Sequence, residues 1–129
     1  MKCYLVKRFL YEARKLHVTD TLLSDTLTYF SEMDLDGRQR HALGASLYKL
    51  RLATNEGQGK SGGSRSILAF QMDHRVIWLH LFAKNDKENI TTTELKKLKK
   101  LADILLGLSQ SDINRLIKSG ELYEVKKHD

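Results

Sequence analysis

The sequence predicts an α+β fold: a small antiparallel β-sheet with an N-terminal helical hairpin and two C-terminal helices. Three observations carry that reading. Apolar residues recur at the spacing of amphipathic helices near both ends of the chain. Between them, over residues 43–84, apolar and polar residues alternate with the period of strands. No strand–helix–strand crossover interrupts that central stretch, so its strands are read as antiparallel neighbours. The length of 129 residues suits one domain, 1–129, and an apolar fraction of 41% is enough for a core beneath a polar surface.

Taken in order, residues 2–6 read as a short strand, after which Phe9, Leu10, Ala13 and Leu16 fall on one helical face. A break at Val18-Thr19-Asp20 starts a second helix with Leu22, Leu23, Thr26, Leu27 and Phe30 along its apolar side, and Gly37 lies in the polar stretch beyond it. The two helices are expected to pair as an antiparallel hairpin. Their acidic groups, Asp20, Asp25, Glu32, Asp34 and Asp36, suit them poorly to a phosphate surface.

In the centre, residues 43–52 place Tyr48, Leu50 and Leu52 on one face, with Lys49 and Arg51 together on the other. Residues 66–72 turn Leu68, Phe70 and Met72 inward, and Asp73-His74-Arg75 is read as a tight connection. Over residues 76–84, alternation groups Ile77, Leu79, Leu81 and Ala83 against Trp78, His80, Phe82 and Lys84. Neither group is wholly polar, so the second face is expected to be covered in part.

The last third is helical. Thr91-Thr92-Thr93-Glu94 has the form of a capping box, in which hydroxyl and carboxylate satisfy each other's backbone N–H groups. Leu95, Leu98, Ala102 and Leu105 line one face up to Gly107, and Lys96, Lys97, Lys99 and Lys100 are read as a solvated face. Ser109-Gln110-Ser111-Asp112 is a second cap, followed by Ile113, Leu116 and Ile117, with Gly120 as the stop. Leu122-Tyr123-Glu124-Val125 reads as a closing strand.

Composition narrows the function. No run approaches the ~20 apolar residues of a membrane span. Lys7, Arg8, Glu12 and Arg14 break up the first residues, so a secretory signal is not expected there. Cys3 is the single cysteine, which excludes an internal disulfide framework and a cysteine-based zinc site. A cytoplasmic location is expected. The net charge of +6 is concentrated in residues 37–84, where eight Lys/Arg face two Asp/Glu. Such a field favours a polyanion, most often nucleic acid, although a merely solvated basic surface has the same composition.

Inside the basic segment lies Gly57-Gln58-Gly59-Lys60-Ser61-Gly62-Gly63-Ser64-Arg65. Glycines without side chains let backbone N–H groups approach an anion. A nucleotide-binding P-loop would need glycine at position 54, where Thr54 stands, and a helix after the loop, where residues 66–70 read as a strand. The segment is therefore read as a long hairpin loop. It carries Lys60 and Arg65 toward Lys49 and Arg51, with Lys84 at the end of the next strand.

In order and spacing, the motifs Leu47-Tyr48-Lys49-Leu50-Arg51, the glycine loop, Leu81-Phe82-Ala83-Lys84-Asn85, the lysine-rich helix from Thr92 and Leu122-Tyr123-Glu124-Val125 resemble the RelE/HigB toxin family of type II toxin–antitoxin systems. The likeness is to the subgroup with a Gly-Lys-Ser-Gly-Gly-x-Arg loop, and it covers almost the whole chain. It implies a RelE-like fold, an endoribonuclease that cuts mRNA on the ribosome, a cognate antitoxin, often a helix-turn-helix protein, and no metal or other cofactor. Carried onto this sequence, it implies catalytic roles for Arg65, Lys49, Arg51 and Lys84, with Arg65 on the scissile phosphate. Lys60, Ser61, His80, Phe82 and Asn85 fall in the RNA- or ribosome-binding set. Two positions depart from the family pattern: Ser64 replaces a common aromatic residue, and Asn85 a frequent arginine. Phe82 is open to a core role or to base stacking, and His80 to a structural role or to general-acid work. The alternative function is a non-catalytic nucleic-acid-binding protein, either a degenerate toxin or a co-repressor acting with an antitoxin.

Overall fold

The structure, a computed structural model, describes residues 1–53, 63–83 and 90–126. Its elements are β1 (Lys2–Val6), α1 (Lys7–Leu16), α2 (Asp20–Ser31), α3 (Leu35–Gln39), β2 (Ala42–Gly44), β3 (Leu47–Leu52), β4 (Ser64–Gln71), β5 (Arg75–Ala83), α4 (Thr92–Gly107), α5 (Gln110–Lys118) and β6 (Leu122–Glu124). The strands form one six-stranded sheet in the order β2-β3-β4-β5-β1-β6. It is antiparallel except where β1 runs parallel to β5. Phe9 and Ala13 of α1 and Leu23 and Phe30 of α2 share a core with Trp78, Phe70 and Leu50 on one face. Ala102 and Leu105 of α4 and Ile113 of α5 share a second core with Ile67, Ala69 and Ile77 on the other. The α+β class and the helices at both ends of the chain are as expected. No helix among the described residues is long and apolar enough to cross a membrane.

Local chemistry sets the boundaries. The Thr19 hydroxyl accepts from the Leu22 N–H at 3.1 Å and starts α2. Thr91 and Glu94 close the capping box of α4, with bonds of 3.1 and 3.2 Å. Ser109 accepts from the Asp112 N–H at 3.1 Å and caps α5. That helix stops at Gly120, whose φ of 82° places its N–H on Ile117 O and the Glu121 N–H on Leu116 O. This pair of bonds is a Schellman closure.

Several expectations are corrected. The strand predicted over residues 43–52 is two strands, folded back at Ala45 and Ser46, which hold φ of 52° and 63°. Two consecutive left-handed residues make the tight hairpin turn usually written with Asn and Gly, so composition did not mark it. Gly37 lies within α3, where its N–H bonds to Asp34 Oδ1 at 2.7 Å. Met72 does not face inward; it sits in the turn and is 40% exposed.

Arg75 belongs to β5 rather than to the turn, and it is buried. Its Nη1 donates to Leu105 O at 2.8 Å and Leu108 O at 2.9 Å. A cation thus satisfies carbonyls left open at the C-terminus of α4. Next to it, His74 Nε2 lies 2.8 Å from Leu106 O.

The face assignment of β5 changes the most. Opposite β4, Ile67 pairs with His80 but Leu68 pairs with Trp78, so Leu79 is an extra residue in a β-bulge. Strict alternation fails there. Trp78 and Leu81 share the α1 side, whereas Leu79 and Phe82 share the α4 side.

Candidate functional site

Lys49 and Arg51 leave β3 on the side of the sheet that carries Leu47, opposite to Leu50 and Leu52. The β3–β4 register places Lys49 across from Ile67 and Arg51 across from Arg65. Directly opposed residues share a face, with Cα atoms about 4.5–5.5 Å apart. Like charges in that position repel one another across the strand pair.

Arg65 is half-buried, and its Nη1 is buried without a hydrogen-bond partner among the described residues. Beneath it, the strands are stitched by Ser66 Oγ, which donates to Leu50 O at 2.9 Å. Gly63 has a φ of 103°, and a Cβ there would lie 3.1 Å from Leu52 O and 3.3 Å from Arg51 Nε. Glycine therefore lets the Arg51 guanidinium lie against the backbone just before Arg65.

Across the sheet, Arg65 pairs with Phe82. The bulge at Leu79 brings this about, because without it Phe82 would stay in phase with Trp78 on the opposite face. His80 stands opposite Ile67 on the arginine side, its ring 5.3 Å from that of Phe82. Lys49, Arg51, Arg65, His80 and Phe82 are thus brought onto one sheet face. Phe82 is only 7% exposed and packs in the α4-side core. Ser64, at the position where an aromatic residue is common, is buried and pairs with Leu52 and Ala83, on the face away from Arg65. Lys60, Ser61, Lys84 and Asn85 lie outside the described residues, as does most of the glycine loop.

Four further lysines lie on α4. Lys96, Lys97 and Lys100 are exposed, while Lys99 Nζ lies 3.3 Å from the point where a Cβ on Gly44 would sit. A lysine of α4 therefore reaches the outer edge of the sheet beyond β3. No cluster of three or more His, Cys, Asp or Glu that could hold a metal ion occurs among the described residues. What the face offers is positive charge around an arginine whose buried Nη1 has no hydrogen-bond partner among the described residues, an arrangement suited to a phosphodiester.

The model of one protein family matches residues 1–125, the RelE toxin of the RelE / RelB toxin–antitoxin system. The chain belongs to the RelE toxin family. No curated protein matches it. Family membership makes it the toxin partner of a toxin–antitoxin pair, with a cognate antitoxin as its counterpart.

One feature of this RelE toxin was not legible in its sequence. A cleft of about 230 Å³ opens between α1 and α4 along β5, lined by Arg8, Glu12, Leu79, His80, Phe82 and Glu94 among others. Arg8 and Glu12 are four residues apart on α1, a spacing that marks a shared helix face but not what that face meets.

Proposed function

We propose that this RelE-family toxin is an endoribonuclease that cuts mRNA on the ribosome and so arrests translation in the cytoplasm. The observation that supports it is the meeting of Lys49, Arg51 and Arg65 on one face, with the buried Nη1 of Arg65 unbonded among the described residues. In the reaction, the ribose 2′-oxygen bonds to the adjacent phosphorus while the P–O5′ bond breaks. The 2′-OH proton passes to a base, and the departing 5′-oxygen takes up another. The phosphate becomes dianionic on the way. Arg65 stabilises that charge as it develops, and Lys49 and Arg51 position the backbone and lower the cost of gathering negative charge. Lys49, on the same face as the two arginines, is proposed to exchange protons with the reacting oxygens. Lys60, Ser61, Lys84 and Asn85 are proposed to hold mRNA or ribosomal RNA around this centre.

Expression of the toxin alone, followed by mapping of mRNA 5′ ends, tests the reading. The expected result is growth arrest with new ends inside translated codons. Intact messages together with salt-sensitive RNA or DNA binding would replace the nuclease with a non-cutting nucleic-acid binder, such as a co-repressor acting with the antitoxin.

A further inference from the structure

We propose that the outer face of α1 and α2 is a docking surface for a second copy of this chain, which it meets across a two-fold axis as a weak dimer. Both helices turn their apolar sides to the same core, Phe9 and Ala13 from α1 and Leu23 and Phe30 from α2. Their outer sides repeat one pattern with opposite charge. On α1, Lys7, Tyr11 and Arg14 are exposed; on α2 and its C-terminal cap, Asp25, Tyr29 and Glu32 are exposed. Each set has the i, i+4, i+7 spacing that lines up along one side of a helix. One helix therefore reads cation–tyrosine–cation and the other acid–tyrosine–acid.

The segregation of charge extends beyond those six residues. Residues 7–15 hold four Lys/Arg and one acid, whereas residues 16–37 hold five acids and no Lys/Arg. Lys7, Arg14, Asp25 and Glu32 make no ion pair among the described residues, so both stripes keep their charge for a partner. Apolar anchors sit among them. Tyr29 is 70% exposed, and Tyr11 and Leu35 of α3 are each 62% exposed, the three most exposed large hydrophobic side chains among the described residues. Tyrosine supplies broad contact area at low cost in side-chain entropy and is enriched at interfaces. The Tyr11 ring is packed under Lys15, whose Nζ lies 4.7 Å from its centroid.

Charge selects the occupant. An RNA backbone is drawn to α1 but repelled by α2, and a basic peptide the reverse. A second copy satisfies both helices at once. A two-fold axis lying in the interface, along the boundary between the helices, sets the basic stripe of each copy over the acidic stripe of the other. Such an isologous contact closes at two subunits. Helices of 10 and 12 residues are about 15 and 18 Å long, so the contact belongs to the small, transient class, below roughly 1,200 Å². Lys49, Arg51 and Arg65 lie on the opposite side of the sheet, so both cationic faces stay open in the dimer. Dimerisation stands whether or not those faces cut RNA.

Sedimentation velocity on the full chain, over a concentration series, provides the test. The expected result is a monomer–dimer equilibrium that shifts toward monomer as salt is raised, because screening shortens the reach of exposed charges. Lys7→Glu with Arg14→Glu, and separately Asp25→Lys with Glu32→Lys, should each weaken dimerisation about ten-fold or more by setting like charges face to face. An equimolar mixture of the two charge-inverted proteins should pair again, since each stripe of one then meets its complement on the other. Tyr29→Ala, which leaves every charge in place, should weaken the dimer without lowering the melting temperature. A chain that stays monomeric at every concentration would overturn the proposal. So would a dimer indifferent to salt and to both inversions, or inverted proteins of unchanged melting temperature that fail to pair when mixed. Should an inverted protein melt early, Tyr29→Ala decides, and an unchanged dimer constant in that variant refutes the surface.

Discussion

The two faces of the sheet share the same strands but differ in chemistry. Toward α1 and α2 the face is aromatic. Phe30 meets Phe70 and Tyr48 with ring centroids at 5.0 and 5.1 Å, and Phe9 meets Trp78 at 5.8 Å. Toward α4 and α5 it is mainly aliphatic, with Ile67, Ala69, Ile77 and Leu79, and it carries Lys49, Arg51 and Arg65 where β3 and β4 face one another. Aromatic pairs contribute about 0.5–1.5 kcal/mol beyond their buried area, whereas opposed like charges weaken a strand pair. The closed face thus offsets the strain of the charged one, and the division of labour can be broken from either side.

The largest effect is expected on the closed face. Trp78→Ala should lower the unfolding free energy by about 3–5 kcal/mol in chemical denaturation, and a loss below about 1 kcal/mol would show that the aromatic face does not anchor the fold. Next, Arg65→Ala should slow mRNA cleavage by about 10²–10³-fold while leaving the melting temperature unchanged or raised, since it removes one of two opposed cations. Arg65→Lys should recover little, because a point charge does not reproduce a forked donor. A parallel fall in stability and activity would turn Arg65 into a structural residue.

Arg75→Met should cost about 2–3 kcal/mol by freeing the α4 carbonyls, with faster hydrogen exchange over residues 105–110 as the local sign. Exchange spread evenly over the molecule would refute that clamp. The smallest effect has the opposite sign: Ser46→Gly should stabilise by about 1 kcal/mol, since glycine enters the left-handed region without strain.

These variants also mark what the sequence made legible. Helix limits were readable at Thr91, Glu94, Ser109 and Gly120, because caps are local hydrogen-bond chemistry. The shared face of Lys49 and Arg51 followed from their spacing. The bulge at Leu79 was not readable, because residues 76–79 are apolar throughout and either phase of alternation satisfied them. The Ala45–Ser46 turn lacked its usual residues, so the folding back of β2 onto β3 overrode local preference. Arg75 looked like a turn cation because its partners, Leu105 and Leu108, are distant in the chain. The cationic set was therefore legible as a composition, but its sharing of a sheet face with Phe82 and His80 depended on a single inserted residue in β5.

One consequence of the strand order concerns synthesis. β1 is bonded to β5 on one side and to β6 on the other, so the first strand of the sheet in chain order is enclosed by the last. Long-range closure of this kind is slow and comes late in folding. A nascent chain still lacking residues 122–124 has one flank of β1 open, and a chain truncated at residue 118 should be digested by a protease that spares the full-length toxin. Completion of the sheet therefore waits for the segment that carries β6.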